Sequence, residues 1–279
     1  MISVEELYQR FTWLSLDVVF GAMGGLLFFS KLLRVPLPWT IYALLGLAVW
    51  VIYTFDHLMD SRKLTKGTHM DRHTFHQKHA LALWFLLIIN SVIGLYGAYV
   101  TFGIGKELLV ASVLGGMILL LMLLIRMLPI SFHWLKEANT AIFYVLGIAL
   151  LPFLRFSFED WEWQIGLLMA GYIGLAYLNL IMLSWLDSGK DQASGFGSLL
   201  SVLSKEKVGS LIRRLAFFLI AAFLLCLVFF PSYYRVFASL LLLMALIHYL
   251  TFYDKKLTAS QIRFRMEATF FIPWLLLFW

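Results

Sequence analysis

One cysteine, Cys226, stands in the 279 residues, and it lies inside an apolar run. A disulfide framework and a cysteine metal site are both excluded. Charge is scarce as well: Asp, Glu, Lys and Arg make up 14% of the chain against 62% apolar residues, and the mean hydropathy is +0.86. No soluble domain of this size hides that much apolar surface in its core, so the chain reads as an integral membrane protein. The opening segment, MISVEELYQRFTWLSLDVV, has two glutamates where a secretory signal carries positive charge. No small-residue cleavage site follows, and the first span is expected to be retained. The formal charge of +6 does not point to nucleic acid, because the basic residues fall in short connections between apolar runs rather than on one polar face.

What is present is a series of apolar windows, each about 20 residues long, the length an α-helix needs to cross a bilayer. Nine are expected, over 12–33, 39–58, 80–102, 107–127, 138–155, 163–186, 211–230, 233–253 and 262–279. The last carries Arg263, Arg265 and Glu267 in its first turns and Pro273 in its middle. No soluble domain is left over, so residues 1–279 form a single helical bundle whose longest connections are 59–79 and 187–210. With nine spans, most of the 22 Lys and Arg fall on the side shared by the N-terminus and these two connections. The positive-inside rule then places that side in the cytoplasm. The expected setting is multi-pass in a bacterial inner membrane.

Two aspartate pairs stand out. VIYTFDHLMDSRK closes the second span with Asp56 and Asp60, and LSWLDSGKDQASG closes the sixth with Asp187 and Asp191. Like charges at i and i+4 repel on a helix, and carboxylates at the edge of a hydrocarbon layer are costly. Spans two and six run in the same direction, so both pairs emerge on one face. Tyr53, Asp56, His57 and Asp60 share one helical stripe, and Ser184, Asp187 and Asp191 share another. Packed nearby, the helices would bring four carboxylates to one pocket. Mg²⁺ resolves the repulsion: it prefers hard oxygen ligands, is held by one or two carboxylates per ion, and completes its shell with water and phosphate oxygens. A diphosphate is the natural bridge between two such ions.

These residues resemble the UbiA-type intramembrane prenyltransferase superfamily, with nine helices and Asp-rich motifs at the cytoplasmic ends of the second and sixth. Asp56 and Asp60 fall on the first motif. Asp187 and Asp191 fall on the second, which DQASGFGS continues through Gly195 to Ser198. LLIRMLPISFHWLKEAN resembles the family's stretch of diphosphate-gripping basic residues, with Arg126 and Lys136 as the candidates. The chain departs from the pattern at Ile52, where asparagine is usual, at Gly197, where many members carry lysine, and in the absence of a tyrosine often found on the fourth helix. The resemblance implies Mg²⁺-dependent transfer of a prenyl group from an isoprenyl diphosphate to an aromatic or other lipophilic acceptor. Asp56, Asp60, Asp187 and Asp191 would hold the metal, and Arg126, Lys136, Lys63, Arg72 and Lys190 would neutralise the diphosphate. Tyr53, Phe55, Tyr144, Tyr172 and Tyr177 would wall the allylic cation.

Other polar residues carry open alternatives. Asp17, about one turn inside the first span, binds substrate or pairs with a basic residue. Asn90, Asn139 and Asn179 line the pocket or hydrogen-bond between helices. Arg263 and Glu267, four apart, form an ion pair within one helix. The connection THMDRHTFHQKHA carries His69, His73, His76 and His79, spaced as transition-metal ligands can be, so a histidine-cluster oxidase is a second enzyme class; only three further histidines exist to complete such a site. The simpler expectation is a cap over the diphosphate. Closure of the cation on its own double bonds would make a membrane terpene cyclase. A cation or lipid transporter is the non-enzymatic alternative, though transporters place such carboxylates near the midplane rather than at one edge.

Overall fold

The computed structural model describes residues 4–61, 71–127, 135–194 and 199–279. Eleven α-helices follow in order: α1 (Val4–Trp13), α2 (Leu16–Leu32), α3 (Trp39–Ser61), α4 (Asp71–Lys78), α5 (Ala80–Phe102), α6 (Lys106–Met127), α7 (Leu135–Arg155), α8 (Trp163–Ser194), α9 (Lys205–Phe229), α10 (Ser232–Tyr253) and α11 (Ala259–Ala268). A 3₁₀ helix, Thr269–Phe278, closes the chain. There is no strand among the described residues. Seven helices, α3 and α5 to α10, are long and apolar enough to cross a bilayer. The chain is an all-α membrane protein.

The two remaining expected spans are interrupted. Over 12–33 the helix breaks at Ser15, whose φ of 57° lies in the left-handed region that a β-carbon disfavours. α2 therefore has 17 residues, about 26 Å of helix against a hydrocarbon layer of about 30 Å. Over 262–279, α11 gives way to the 3₁₀ helix, which contains Pro273. Proline has no N–H to continue an α-helical ladder. The entry to α11 is well determined by a capping box: Gln261 N donates to Thr258 Oγ1 at 3.3 Å, and Thr258 N donates to Gln261 Oε1 at 3.1 Å.

The expected connections also shorten. α3 continues to Ser61, and part of 59–79 folds as α4, tied back by Gln77 Nε2 donating to the Ser61 carbonyl at 2.6 Å. α8 runs through Asp187 to Ser194 rather than ending near 186, so the second aspartate pair is helical rather than part of a loop. Ser204 then caps α9 by accepting from Lys207 N.

The core forms around α2, which packs on α3, α7 and the 3₁₀ helix, and around α8, which packs on α7, α9 and α10. Small residues permit the closest approaches, as is usual between helices in lipid. A β-carbon at Gly24 would lie 3.1 Å from the Phe270 carbonyl, and one at Gly25 would lie 2.5 Å from Ile148 Cδ1. Trp274 Nε1 donates to the Phe20 carbonyl at 3.0 Å across the first of these contacts.

α5 and α6 differ from this core. No side chain of α6 is buried before Ile125, although the helix is strongly apolar. Its apolar faces meet lipid on one side and a void on the other. One fixed point is the bidentate pair between Arg155 and Glu107, with N–O distances of 2.7 and 2.8 Å. α3 packs on α2 and α5, α5 on α6, α6 on α7, and α7 on α2. The ring closes around that void.

Candidate functional site

α3, α5, α6 and α7, with α1, α8 and α11, line a half-open cavity of 1510 Å³. It exceeds the size usual for pockets that take drug-sized molecules. Its two ends are chemically different. Where α3 and α8 finish and α7 starts, the wall carries Tyr53, Asp56, His57, Asp60, Lys136, Glu137, Ser184, Asp187, Arg263 and Glu267. Toward the opposite ends of α3 and α7 it carries Ile41, Leu44, Leu45, Leu150 and Leu151, with Leu108 at the start of α6. On α3 alone the lining residues run from Asp60 back to Ile41, about 28 Å at 1.5 Å per residue. A ligand that fills this space has a polar head and a long apolar tail.

α3 and α8 each contribute to the carboxylate end. α3 rests on α2 and α5, and α8 rests on α7, α9 and α10, while Asp56, Asp60 and Asp187 line the same cavity. Asp60 is buried and Asp56 half-buried. Asp187 forms an ion pair with Arg263 of α11. The expected pair between Arg263 and Glu267 is present at 3.8 Å, and the guanidinium therefore lies between two carboxylates of different helices.

Of the other expected residues, Tyr53 and Lys136 line the carboxylate end. Tyr144 lines the wall further along. Tyr172 is buried in the core, where its ring meets Phe28 at 5.2 Å, and Phe55 packs on Trp84 at 6.0 Å. Tyr177 packs on the main core. These three are packing residues and not cavity wall. Asp17 is buried in the first turn of α2 and is not among the residues that line the cavity. An acidic side chain there complements the positive end of the helix dipole. Lys63 and His69 lie outside the described residues, as do the side chains of Arg72, His73, Arg126, Lys190 and Asp191. Asn90 and Asn139 line the cavity. Asn179 Oδ1 instead accepts from the buried His248 ring Nε2 at 3.1 Å, an interhelical bond of the kind expected.

The described part of the histidine connection, α4, packs on α3 and α5 and is not among the elements that line the cavity. His76 of α4 is buried with its ring 5.1 Å from that of His57, and Phe75 of α4 packs on Trp13 of α1 at 5.4 Å. α4 thus buttresses the α3 stripe from behind, while His79 is exposed.

The donor chemistry of the carboxylate end suits a hard cation. Among the described residues no three His, Cys, Asp or Glu side chains gather closely enough to hold one ion. Mg²⁺ does not require three, since one or two carboxylates with water and phosphate oxygens complete its shell. Asp56 and Asp60, one turn apart on the wall, are suited to that role, and Asp187 faces the same space.

Glu137 was not singled out by the sequence. It is 7% exposed, and its Oε1 accepts from Ser184 Oγ at 2.8 Å and from Leu199 N at 3.1 Å. In sequence it is one acidic residue in a helix's first turn, where the dipole alone accounts for it. No protein-family model, no curated protein and no solved structure matches the chain.

Proposed function

We propose that the chain is an intramembrane, Mg²⁺-dependent prenyltransferase of the UbiA-like type, which takes an isoprenyl diphosphate and transfers its prenyl group to a lipophilic acceptor. One observation carries the reading: a single cavity joins a carboxylate-rich, Lys- and Arg-bearing end to an apolar wall that runs about 17 Å along α3 from Ile52 to Ile41. A diphosphate at the first and an isoprenoid tail along the second would match it in polarity and in length.

Asp56, Asp60 and Asp187 would hold Mg²⁺, with Asp191 on the next turn of α8. Bound there, the ion would neutralise the charge that develops on diphosphate as the allylic carbon–oxygen bond breaks. Lys136 and Arg263 add fixed positive charge at the same end. The dry wall, with Tyr53 and Tyr144 presenting aromatic faces, delays capture of the cation by water. α1 and α11 flank the head group at this end.

In this reading the interrupted segments 12–33 and 262–279 complete nine crossings. The excess of Lys and Arg puts the N-terminus and the carboxylate end in the cytoplasm, where a water-soluble diphosphate head would be met. The setting is a bacterial inner membrane.

The test uses purified protein in nanodiscs with allylic diphosphates of graded length, and Mg²⁺ or EDTA. The expected result is diphosphate release that requires Mg²⁺ and falls by at least 100-fold in Asp56→Asn and Asp187→Asn, in line with the loss of transition-state charge stabilisation. Absence of release and of binding with Mg²⁺ present would sink the reading in favour of a transporter.

A further inference from the structure

Glu137 joins three parts of the chain at one oxygen. It sits in the first turn of α7, beside Lys136, and it is more than nine-tenths buried. Ser184 Oγ of α8 and the backbone N–H of Leu199 both donate to its Oε1. Its Oε2 is buried with no hydrogen-bond partner. These two donors flank Asp187: one precedes it by three residues and the other follows α8.

The register matters. Ser184 and Asp187 lie three residues apart, so they share a face of α8. A bond at Ser184 sets the rotation of α8 about its own axis, and with it the direction of Asp187. Successive helical positions turn by about 100°, so even a small rotation displaces a carboxylate at the tip of its side chain. The bond to Leu199 N holds the chain that returns after α8 against the same point. Arg263 draws Asp187 from the other side. Asp187 therefore lies beside a residue of α8 that is anchored to α7 and is itself paired with a cation on α11.

We infer that Glu137 is a positioning residue for the metal-binding carboxylate of α8: it clamps both flanks of Asp187 to α7, so that Asp187 meets Asp56 and Asp60 across the mouth of the cavity. The inference rests on the proposed Mg²⁺–diphosphate chemistry, and it assigns Glu137 no contact with the reacting atoms. A glutamine can accept the same two bonds through its amide oxygen, whereas an alanine can accept neither. This difference separates positioning from a role for the charge.

The experiment compares native protein, Glu137→Gln and Glu137→Ala in nanodiscs. Hydrogen exchange at the Leu199 amide reads the clamp without any turnover. Thermal stabilisation by Mg²⁺ with inorganic diphosphate reads the site, and diphosphate release against Mg²⁺ concentration reads its use. In Glu137→Ala, Leu199 exchange is expected to accelerate and the half-saturating Mg²⁺ concentration to rise about 10- to 100-fold, the effect usual when a partner that orients a metal ligand is removed. Glu137→Gln is expected to restore both to near native values. Equal impairment of the two variants would overturn the inference by showing that the charge itself acts. A native response to Mg²⁺ and diphosphate that Glu137→Ala leaves unchanged would overturn it alone. A native protein that neither responds nor releases diphosphate would overturn the functional reading and this assignment together, while Leu199 exchange would still report whether the clamp exists.

Discussion

Gly147 offers the sharpest test of where a lipid tail lies. It lines the cavity on α7, and a β-carbon added there would meet no atom within 4 Å. Gly115 and Gly116 of α6 line the same cavity and are equally open. A side chain at 147 therefore starts into open space, and phenylalanine is chosen to project into the cavity. Gly147 is ten residues along α7 from Glu137, about 15 Å at 1.5 Å per residue. An extended isoprene unit spans about 5 Å at ordinary carbon–carbon bond lengths, so about three units fit between the carboxylate end and position 147. A fourth unit would lose its place. Burying its five carbons is worth about 4 kcal/mol at roughly 0.8 kcal/mol per CH₂. Allowing half of that for tails that bend into the remaining space leaves about 2–4 kcal/mol, or roughly 30- to 1,000-fold in kcat/KM. The assay measures diphosphate release from substrates of two, three and four isoprene units. In Gly147→Phe the two shorter substrates should stay within about threefold of native while the four-unit substrate falls by at least 30-fold. If the four-unit substrate is used as well as the two-unit one, the tail does not run along α7 and the polarity argument for the cavity fails.

Two further outcomes follow from the polar contacts. Asn179→Leu removes the side-chain partner of His248 Nε2 and leaves a fully buried ring nitrogen without one; the cost is about 1–3 kcal/mol, read as a Tm lower by about 2–8 °C, with activity per folded molecule unchanged because neither residue lines the cavity. A double-mutant cycle with Arg263→Gln and Asp187→Asn should give a coupling of about 1 kcal/mol, since both side chains are about one-third exposed and solvent screens the pair. Any cation that binds Asp187 competes with that guanidinium, so Arg263→Gln should lower half-saturating Mg²⁺ by about fivefold in the absence of diphosphate; an increase would show that Arg263 supports the metal site and does not compete with it.

The fold was legible where one physical requirement dominates. A helix in lipid must satisfy its backbone internally and stay apolar over its length, and the windows over 39–58, 80–102, 107–127, 138–155, 163–186, 211–230 and 233–253 each correspond to a long helix. The windows at the two ends failed to read through because hydropathy does not register backbone geometry. Ser15 takes a left-handed φ in the middle of an apolar stretch, and Pro273 lies in a 3₁₀ turn of a segment that is apolar throughout. Helix ends near charge were also misread. Asp187 was expected to begin a loop because charge usually ends a span, yet α8 continues for two more turns to Ser194.

The site divides along the same line. Tyr53, Asp56, Asp60 and Asp187 could be named because each is a polar residue near the end of an apolar run, where such residues are costly unless they serve a purpose, whereas Lys136 was named from the family resemblance. Glu137 has the same chemistry but not the same signature, since a first-turn glutamate beside a lysine is ordinary. Its importance is created by α8, 47 residues away, which brings Ser184 to it, and by the chain after α8, which brings Leu199. Arg263 shows the same limit: spacing finds its partner on its own helix and is silent about Asp187, 76 residues away, whose carboxylate it also holds. Local periodicity therefore locates the groups that face the cavity, while the contacts that aim them are made between helices. For this chain the residues that tune Asp187 must be sought on α7 and α11 and not on α8 itself.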